Sequence, residues 1–174
     1  MTQTSTRPAR PPAPPLPAFE TLDQTHREML SKLGEFERLL DHVDERGPDA
    51  EARRIAANLL AFFADHAREH HAQEERLVFP PLLAGADDAL AAQVRRLQQD
   101  HGWLEEDWLL LAPQLEGIAR GYNWYDLAML RVALPVFCRL YHEHIALEEA
   151  LVYPAAKRRL QALEAGEAAR RGGG

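Results

Sequence analysis

Two segments of the sequence each carry a histidine and a glutamate at a spacing of four residues. The pairs are His70 with Glu74 and His144 with Glu148. Residues four apart occupy one face of an α-helix, so each pair would present an imidazole and a carboxylate side by side. Neutral imidazole is a ligand for iron, zinc, copper or nickel, and carboxylates can bridge two metal ions. These residue types at this spacing therefore predict metal binding.

The two pairs belong to an internal repeat of the sequence. Residues 63–80 align without a gap with residues 137–154, and both segments share the pattern F-x6-H-x3-E-E-x-L-V-aromatic-P. The preceding helices match as well, with His26 and His101 at equivalent positions. We expect a duplicated helix pair to pack about a pseudo-two-fold axis, so that the two halves contribute from opposite sides of one centre.

Six side chains of the repeat are predicted to project into the core together. His26 and His101 are on the apolar stripes of their helices, where core side chains belong. An unpaired buried carboxylate costs on the order of several kcal/mol, and two metal cations would remove that cost. Bundles that bind two iron or two manganese ions use inward-facing Glu and His in this way. The predicted ligands are His26, His70, Glu74, His101, His144 and Glu148.

Four helices are needed to position these side chains. Apolar spacing and capping residues predict helix starts near Thr21, Asp49, Asp87 and Asn123. The predicted stops are Gly47-Pro48, Pro80-Pro81, residues 117–121 and Leu160. Pro113 is expected to kink or shorten the third helix, and Pro135 to bend the fourth. Four helices joined by short turns predict an all-α, up-down-up-down four-helix bundle.

The amino-acid composition indicates where the bundle begins and ends and which classes of partner are disfavoured. Residues 1–18 are predicted to be a disordered Pro-rich arm, residues 19–162 the bundle, and residues 163–174 a flexible tail. A formal net charge of −7 disfavours a nucleic-acid partner. No apolar run approaches the roughly 20 residues that span a bilayer. With Cys138 as its single cysteine, the chain has no thiolate cluster, and we expect a cytoplasmic protein.

The repeat resembles the hemerythrin-like family with the HHE cation-binding motif. The resemblance rests on His26, His70-x3-Glu74, His101 and His144-x3-Glu148, and it covers roughly residues 20 to 160. It implies a hemerythrin-like bundle with a non-haem di-iron site, that is, two iron ions with or without an oxo or hydroxo bridge. It also implies that the site binds or reduces dioxygen, peroxide or nitric oxide, or senses iron or oxygen.

The sequence departs from the oxygen-carrying members of that family. Those proteins use five histidines, including an H-x3-H pair in their third helix, whereas Glu105 stands four residues after His101 here. A site of four histidines and two bridging glutamates is predicted instead, with Glu105 as a further residue nearby. His66, one turn before His70, could be a fifth ligand, a gate residue or a core histidine.

The remaining polar residues near the motifs receive simpler interpretations. His71 and His142 are expected to point away from the site, and Tyr141 could donate a hydrogen bond near the metals. Glu75 and Glu149 are expected to be solvated or ion-paired, with hydrogen bonding to a ligand histidine as the alternative. Phe63, Phe79, Phe137 and Tyr153 are interpreted as core packing.

Several functions remain open at this stage. The chain could bind O2, NO or peroxide reversibly, or it could be a di-iron enzyme that reduces peroxide, NO or O2. A structural or iron-storing bundle is also open. The family branch that repairs iron–sulfur centres carries a cysteine-containing N-terminal domain, and the Pro-rich arm of this chain weakens that alternative. The expected partner is a small diatomic ligand or peroxide, and the expected assembly is a monomer or homodimer.

Overall fold

Aspartate side chains cap the start of three of the four helices in the computed structural model. Asp49 accepts a hydrogen bond from the backbone N–H of Ala52 at 2.9 Å. Asp87 and Asp126 accept the equivalent bonds three residues on, at 2.8 and 2.9 Å. Each carboxylate satisfies one backbone donor that the helix itself leaves unpaired. The predicted cap at Asp49 is confirmed, while the fourth helix begins a few residues later than predicted.

The structure describes residues 16–85 and 87–172. Helix α1 is Leu16–Arg46 and helix α3 is Asp88–Arg120. Helix α2 is continuous from residue 50 to residue 83 and comprises Ala50–Ala61, a π-helical turn Phe62–Ala67, Arg68–Gln73, a second π-helical turn Glu74–Val78, and Phe79–Leu83. Helix α4 comprises Leu127–Leu147, a π-helical turn Glu148–Val152, and Tyr153–Gly172.

These helices form the all-α, up-down-up-down four-helix bundle that the sequence predicts. Helix α1 packs against α2 and α4, and α3 packs against the same two helices. Glycines in the left-handed conformation follow two of the helices, Gly47 with φ 72° and Gly121 with φ 71°. Within the described residues, none of the helices is both long enough and apolar enough to cross a membrane.

The prolines interrupt the helices less than predicted. Pro80-Pro81 does not stop α2, because it occupies the first turn of Phe79–Leu83, where a missing N–H costs nothing. Helix α3 continues through Pro113 to Arg120. Leu111 and Leu115 on either side of Pro113 are fully buried, so packing outweighs the lost hydrogen bond.

Helices α1 and α4 extend beyond their predicted ends. Helix α1 includes Leu16, inside the predicted arm, while residues 1–15 fall outside the described part of the chain. Helix α4 continues past Leu160 to Gly172, so most of the predicted tail is helical. The Ala, Glu and Arg residues of this segment favour the helix even though their described side chains are exposed.

Two apolar clusters fill the bundle on either side of a polar layer. One cluster includes Met29, Phe63, Leu104 and Phe137. The other includes Phe19, Phe79, Leu97 and Tyr153. The predicted ligands lie between these clusters along every helix, so the apolar packing that stabilises the bundle also shields the polar layer from water.

Candidate metal centre

The polar layer contains all six residues predicted as ligands. Their side chains are buried, with His101 the most exposed at 9% and Glu74 and Glu148 at 0%. Burial of two carboxylates among four imidazoles is unusual, because charged groups are rarely placed in a core without a partner. The structure therefore brings together from four helices the residues that the repeat predicted.

One cluster of donors gathers at the junction of α1 and α2. His26 Nε2 is 3.1 Å from Glu148 Oε2 and 3.9 Å from Glu74 Oε1. His70 Nε2 is 3.3 Å from the same Glu74 oxygen. Two imidazoles and one oxygen from each carboxylate thus converge on one point, which we call the first metal position.

The second metal position is the repeat-related copy of the first. His101 Nε2 is 3.4 Å from Glu74 Oε2, and His144 Nε2 is 3.3 Å from Glu148 Oε1. The Nε2 atoms of His101 and His144 are 3.2 Å apart. Each carboxylate therefore directs one oxygen to each position, which is the arrangement of a bridging ligand.

Two carboxylates in one buried layer oppose each other electrostatically. Burial raises the pKa of Glu148 well above its ordinary value, and the negative charge of Glu74 raises it further. The apo layer therefore favours a protonated Glu148, whereas cations at the two positions would favour both carboxylates in their ionised form.

Outer carboxylates fix the orientation of two imidazoles in the same way in both halves. His26 Nδ1 donates a hydrogen bond to Glu149 at 3.2 Å, and His101 Nδ1 donates one to Glu75 at 3.1 Å. A donor at Nδ1 leaves Nε2 as the free nitrogen that faces the layer. Although burial opposes it, hydrogen bonds to Glu74 and Glu75 raise the pKa of His101. Glu75 and Glu149 are partly exposed, and each also makes the hydrogen bond to a predicted ligand histidine that the sequence offered as the alternative.

The other two histidines differ in their surroundings. Nδ1 of His70 and Nδ1 of His144 are both buried without a hydrogen-bond partner among the described residues, but His144 Nδ1 lies 3.7 Å from Oδ2 of the buried Asp100. Sequence reasoning missed Asp100, which directly precedes His101. The repeat could not have identified it, because its counterpart in the first half is Thr25.

Tyr153 adds a hydroxyl to the layer and was also missed. Its ring stacks on His26 with an interplanar angle of 9°, and its hydroxyl lies 3.2 Å from His26 Nε2. The hydroxyl donates a short hydrogen bond to Glu74 Oε1. Burial and the nearby charges of Glu74 and Glu148 raise the pKa of Tyr153, so the phenol keeps its proton. The sequence signal was the replacement of Phe79 by tyrosine at the equivalent repeat position.

The donor set fits two metal ions. Several buried atoms have no hydrogen-bond partner among the described residues, namely His70 Nε2, Glu74 Oε2 and both carboxylate oxygens of Glu148. Potential ligand atoms lie within 4.8 Å of one another in two groups, one of His26, His70, Glu74 and Glu148, and one of Glu74, His101, His144 and Glu148. Unpaired buried polar atoms are costly, and metal coordination would satisfy them.

Comparison with known proteins places this geometry in a family. The family model described as the hemerythrin HHE cation-binding domain matches residues 18–162. The chain belongs to the hemerythrin HHE family. It is also 27% identical over 133 residues to an uncharacterized protein of Haemophilus influenzae, covering 76% of this chain and 75% of that protein. No solved structure matches the chain.

A cavity lies between α2 and α3 beside this hemerythrin-family centre. Its volume is about 460 Å³, and its lining includes Phe63, His71, His101, Trp108 and Tyr141. The inner end reaches His101 of the second position, while Arg68 and Glu105 line it further out and pair at 3.3 Å. Glu105 is therefore an exposed partner of Arg68 that lines the cavity, and it is not among the donors gathered at the two positions.

The remaining histidines near the motifs differ in whether they are exposed or contact the centre. His66 is exposed and stacks on Phe62, so it lies outside the hemerythrin-family centre. His142 is exposed, as predicted. The expectation for His71 is wrong, because its ring stacks on His101 at 4.2 Å between centroids.

Proposed function

We propose that the centre is a non-haem di-iron site that binds O2, NO or peroxide. One observation carries this proposal: Glu74 and Glu148 each direct one oxygen to each of two histidine pairs. Paired bridging carboxylates are typical of two-metal sites, in which the ions are about 3.5–4 Å apart. Histidine and carboxylate ligands without thiolates suit iron better than they suit copper(I).

The side chains around the centre support small-molecule chemistry. Two iron ions would supply redox-active Lewis acids for an oxygen- or nitrogen-containing ligand. Tyr153 keeps its hydroxyl proton beside Glu74, and Glu75 and Glu149 orient His101 and His26. The apolar clusters exclude bulk water from the layer.

The cavity favours ligand binding or turnover over iron storage alone. It gives a small molecule a route from the surface to His101 at the second position. A purely structural metal site is normally closed, whereas a reactive site keeps an accessible coordination position. An enzyme that reduces peroxide, NO or O2 is the second candidate, and the same cavity supports it.

Anaerobic metal analysis followed by optical spectroscopy tests this proposal. Protein produced with iron should contain about two irons per chain, as expected from paired bridging carboxylates. Its spectrum should change on addition of O2, NO or peroxide. Over repeated cycles of addition, a binding protein should cause no net consumption of the added molecule, whereas an enzyme should consume it. His70→Ala should lose iron, whereas the exposed His142→Ala should not. One tightly bound zinc without a second metal would contradict the proposal.

A further inference from the structure

His71 occupies a place in the centre that neither the repeat nor the family motif assigns. It follows His70 on α2, and its Nε2 atom is buried without a hydrogen-bond partner among the described residues. One of its ring nitrogens is within 4.8 Å of ring nitrogens of both His101 and His144. A buried, unpaired imidazole nitrogen beside two predicted ligands is in a position to bind the same ion.

Ring separations support this placement. The two predicted ligand pairs have centroid distances of 4.7 Å for His26 with His70 and 4.8 Å for His101 with His144. The ring of His71 is 4.2 Å from His101 and 5.6 Å from His144, distances that bracket those of the two pairs. His71 also lines the cavity that reaches His101.

The face of α2 that carries His71 also explains its contact with His101. His71 and Glu75 are four residues apart on one face, and both contact His101 of α3. Helix α2 therefore directs His70 and Glu74 to the layer, and His71 and Glu75 to the neighbouring helix. The equivalent of His71 in the second half is Ile145, so only the second position has this additional imidazole.

We propose that His71 is a fifth histidine ligand, bound to the metal at the second position together with His101 and His144. This inference rests on the proposed two-metal site and adds one ligand to it. The two positions then differ, since the first has two histidines and the second has three. The third histidine of the second position comes from α2. It replaces a ligand that Glu105, on α3, does not supply because it pairs with Arg68.

Anaerobic titration with Co²⁺ tests this assignment without reliance on activity. Wild-type protein should bind two Co²⁺ per chain. His71→Leu should bind the second Co²⁺ at least about tenfold more weakly, since even outer partners of ligands change metal affinity by about 10- to 100-fold. The visible Co²⁺ bands should also intensify, because fewer ligands remain at that position. His142→Leu, on an exposed face of α4, is the matched control and should leave both affinities unchanged.

Chemical rescue separates ligation from packing. His71→Ala should lose the second Co²⁺ in the same way, and 1-methylimidazole entering through the cavity should restore it. Toluene has a similar shape but no nitrogen, so it should not restore binding. His71→Gln serves as a second variant if the leucine variant does not fold, and the same loss is expected.

The outcomes distinguish the two proposals. Wild-type protein that fails to bind two metals would refute the proposed function. If wild-type protein binds two metals and His71→Leu or His71→Gln binds both with the same affinities and spectra, then only the assignment of His71 is refuted.

Discussion

Glu75 shows how a residue outside the metal layer controls a residue within it. Its carboxylate accepts a hydrogen bond from His101 Nδ1 and a second one, at 2.7 Å, from Gln98. These bonds hold the imidazole of His101 with Nε2 toward Glu74. Residues in this role are as important to a metal site as many direct ligands.

Removal of that carboxylate should weaken metal binding. We expect Glu75→Ala to lower metal affinity about 10- to 100-fold, because His101 loses both its orientation and its preferred tautomer. A competitive chelator titration would measure the loss. Glu69→Ala is the matched control on the same helix, because Glu69 is exposed and pairs with Arg76 and Gln73 on its own helix. Equal effects of the two substitutions would contradict the role of Glu75.

Glu148 should have opposite effects on apo stability and on metal binding. In Glu148→Gln the side chain keeps its shape but loses the charge that burial and Glu74 disfavour. We expect apo Glu148→Gln to be more stable than apo wild-type protein at pH 7, because the amide stays neutral in the buried layer without taking up a proton. The variant should not hold two metals. Urea denaturation of the chelated proteins would measure the difference, and a less stable apo variant would contradict the prediction.

At the scale of the helix, the repeated π-helical turns lie at the bridging carboxylates and directly before the prolines. One turn begins at Glu74 and another at Glu148, so each starts at a bridging carboxylate. The proline that follows each π-helical turn occupies the first turn of the next α-helical segment. Such turns inside α-helices occur frequently at functional sites. Here they allow the helix to continue past the proline into the second apolar cluster.

Gly121 offers a test of helix stability at a distance from the metal layer. Its φ of 71° is one that L side chains rarely adopt, and an added Cβ would approach Arg53 at 3.4 Å. We expect Gly121→Ala to destabilise the protein by roughly 1 kcal/mol, because the left-handed cap of α3 becomes strained. Thermal unfolding would measure the loss.

Gly102→Ala is the control for this substitution. Gly102 is inside α3, and an added Cβ would have no neighbour within 4 Å. Replacement of glycine by alanine in a helix interior should stabilise by about 0.5–1 kcal/mol. Both variants should keep their full metal content, and metal loss in Gly121→Ala would show that the cap influences the site.

At the scale of the whole molecule, one polar layer divides an otherwise apolar core. A ligand that binds only the folded state stabilises it, by about 2.7 kcal/mol at a concentration of 100 times its Kd. We therefore expect chelation to lower the thermal midpoint at pH 7 by roughly 5–10 °C. Differential scanning calorimetry of metal-loaded and chelated protein would measure this change. An unchanged midpoint would favour a layer that water and internal hydrogen bonds satisfy.

Acidification should reduce this stabilisation. The pKa of His101 is raised from its ordinary value of 6.5, and that of Glu148 is raised well above 4.5, so protons compete with metal at both residues as pH falls. The raised pKa of Glu148 contributes stability to the apo fold that is fully present below 4.5 and is lost as pH rises through the folded value. The difference in midpoint between loaded and chelated protein should thus narrow from pH 7 to pH 5.

The sequence by itself determined the bundle and the six residues of the layer. Helical periodicity and the duplicated H-x3-E pattern were sufficient, because both depend on spacing along one chain. His26, His70, Glu74 and their repeat equivalents meet in the structure as that spacing predicts. The stop at Pro80-Pro81 was predicted less well, because these prolines occupy the first turn of the helical segment that follows a π-helical turn.

Only the tertiary structure decided the surroundings of those six residues. His71, Asp100 and Tyr153 enter the centre through contacts with other helices, and the repeat is silent about them because their counterparts are Ile145, Thr25 and Phe79. His66 lies outside the centre, where it is exposed and stacks on Phe62. Spacing fixes which residues share a helix face, whereas the packing of that face against its neighbours fixes what each side chain contacts.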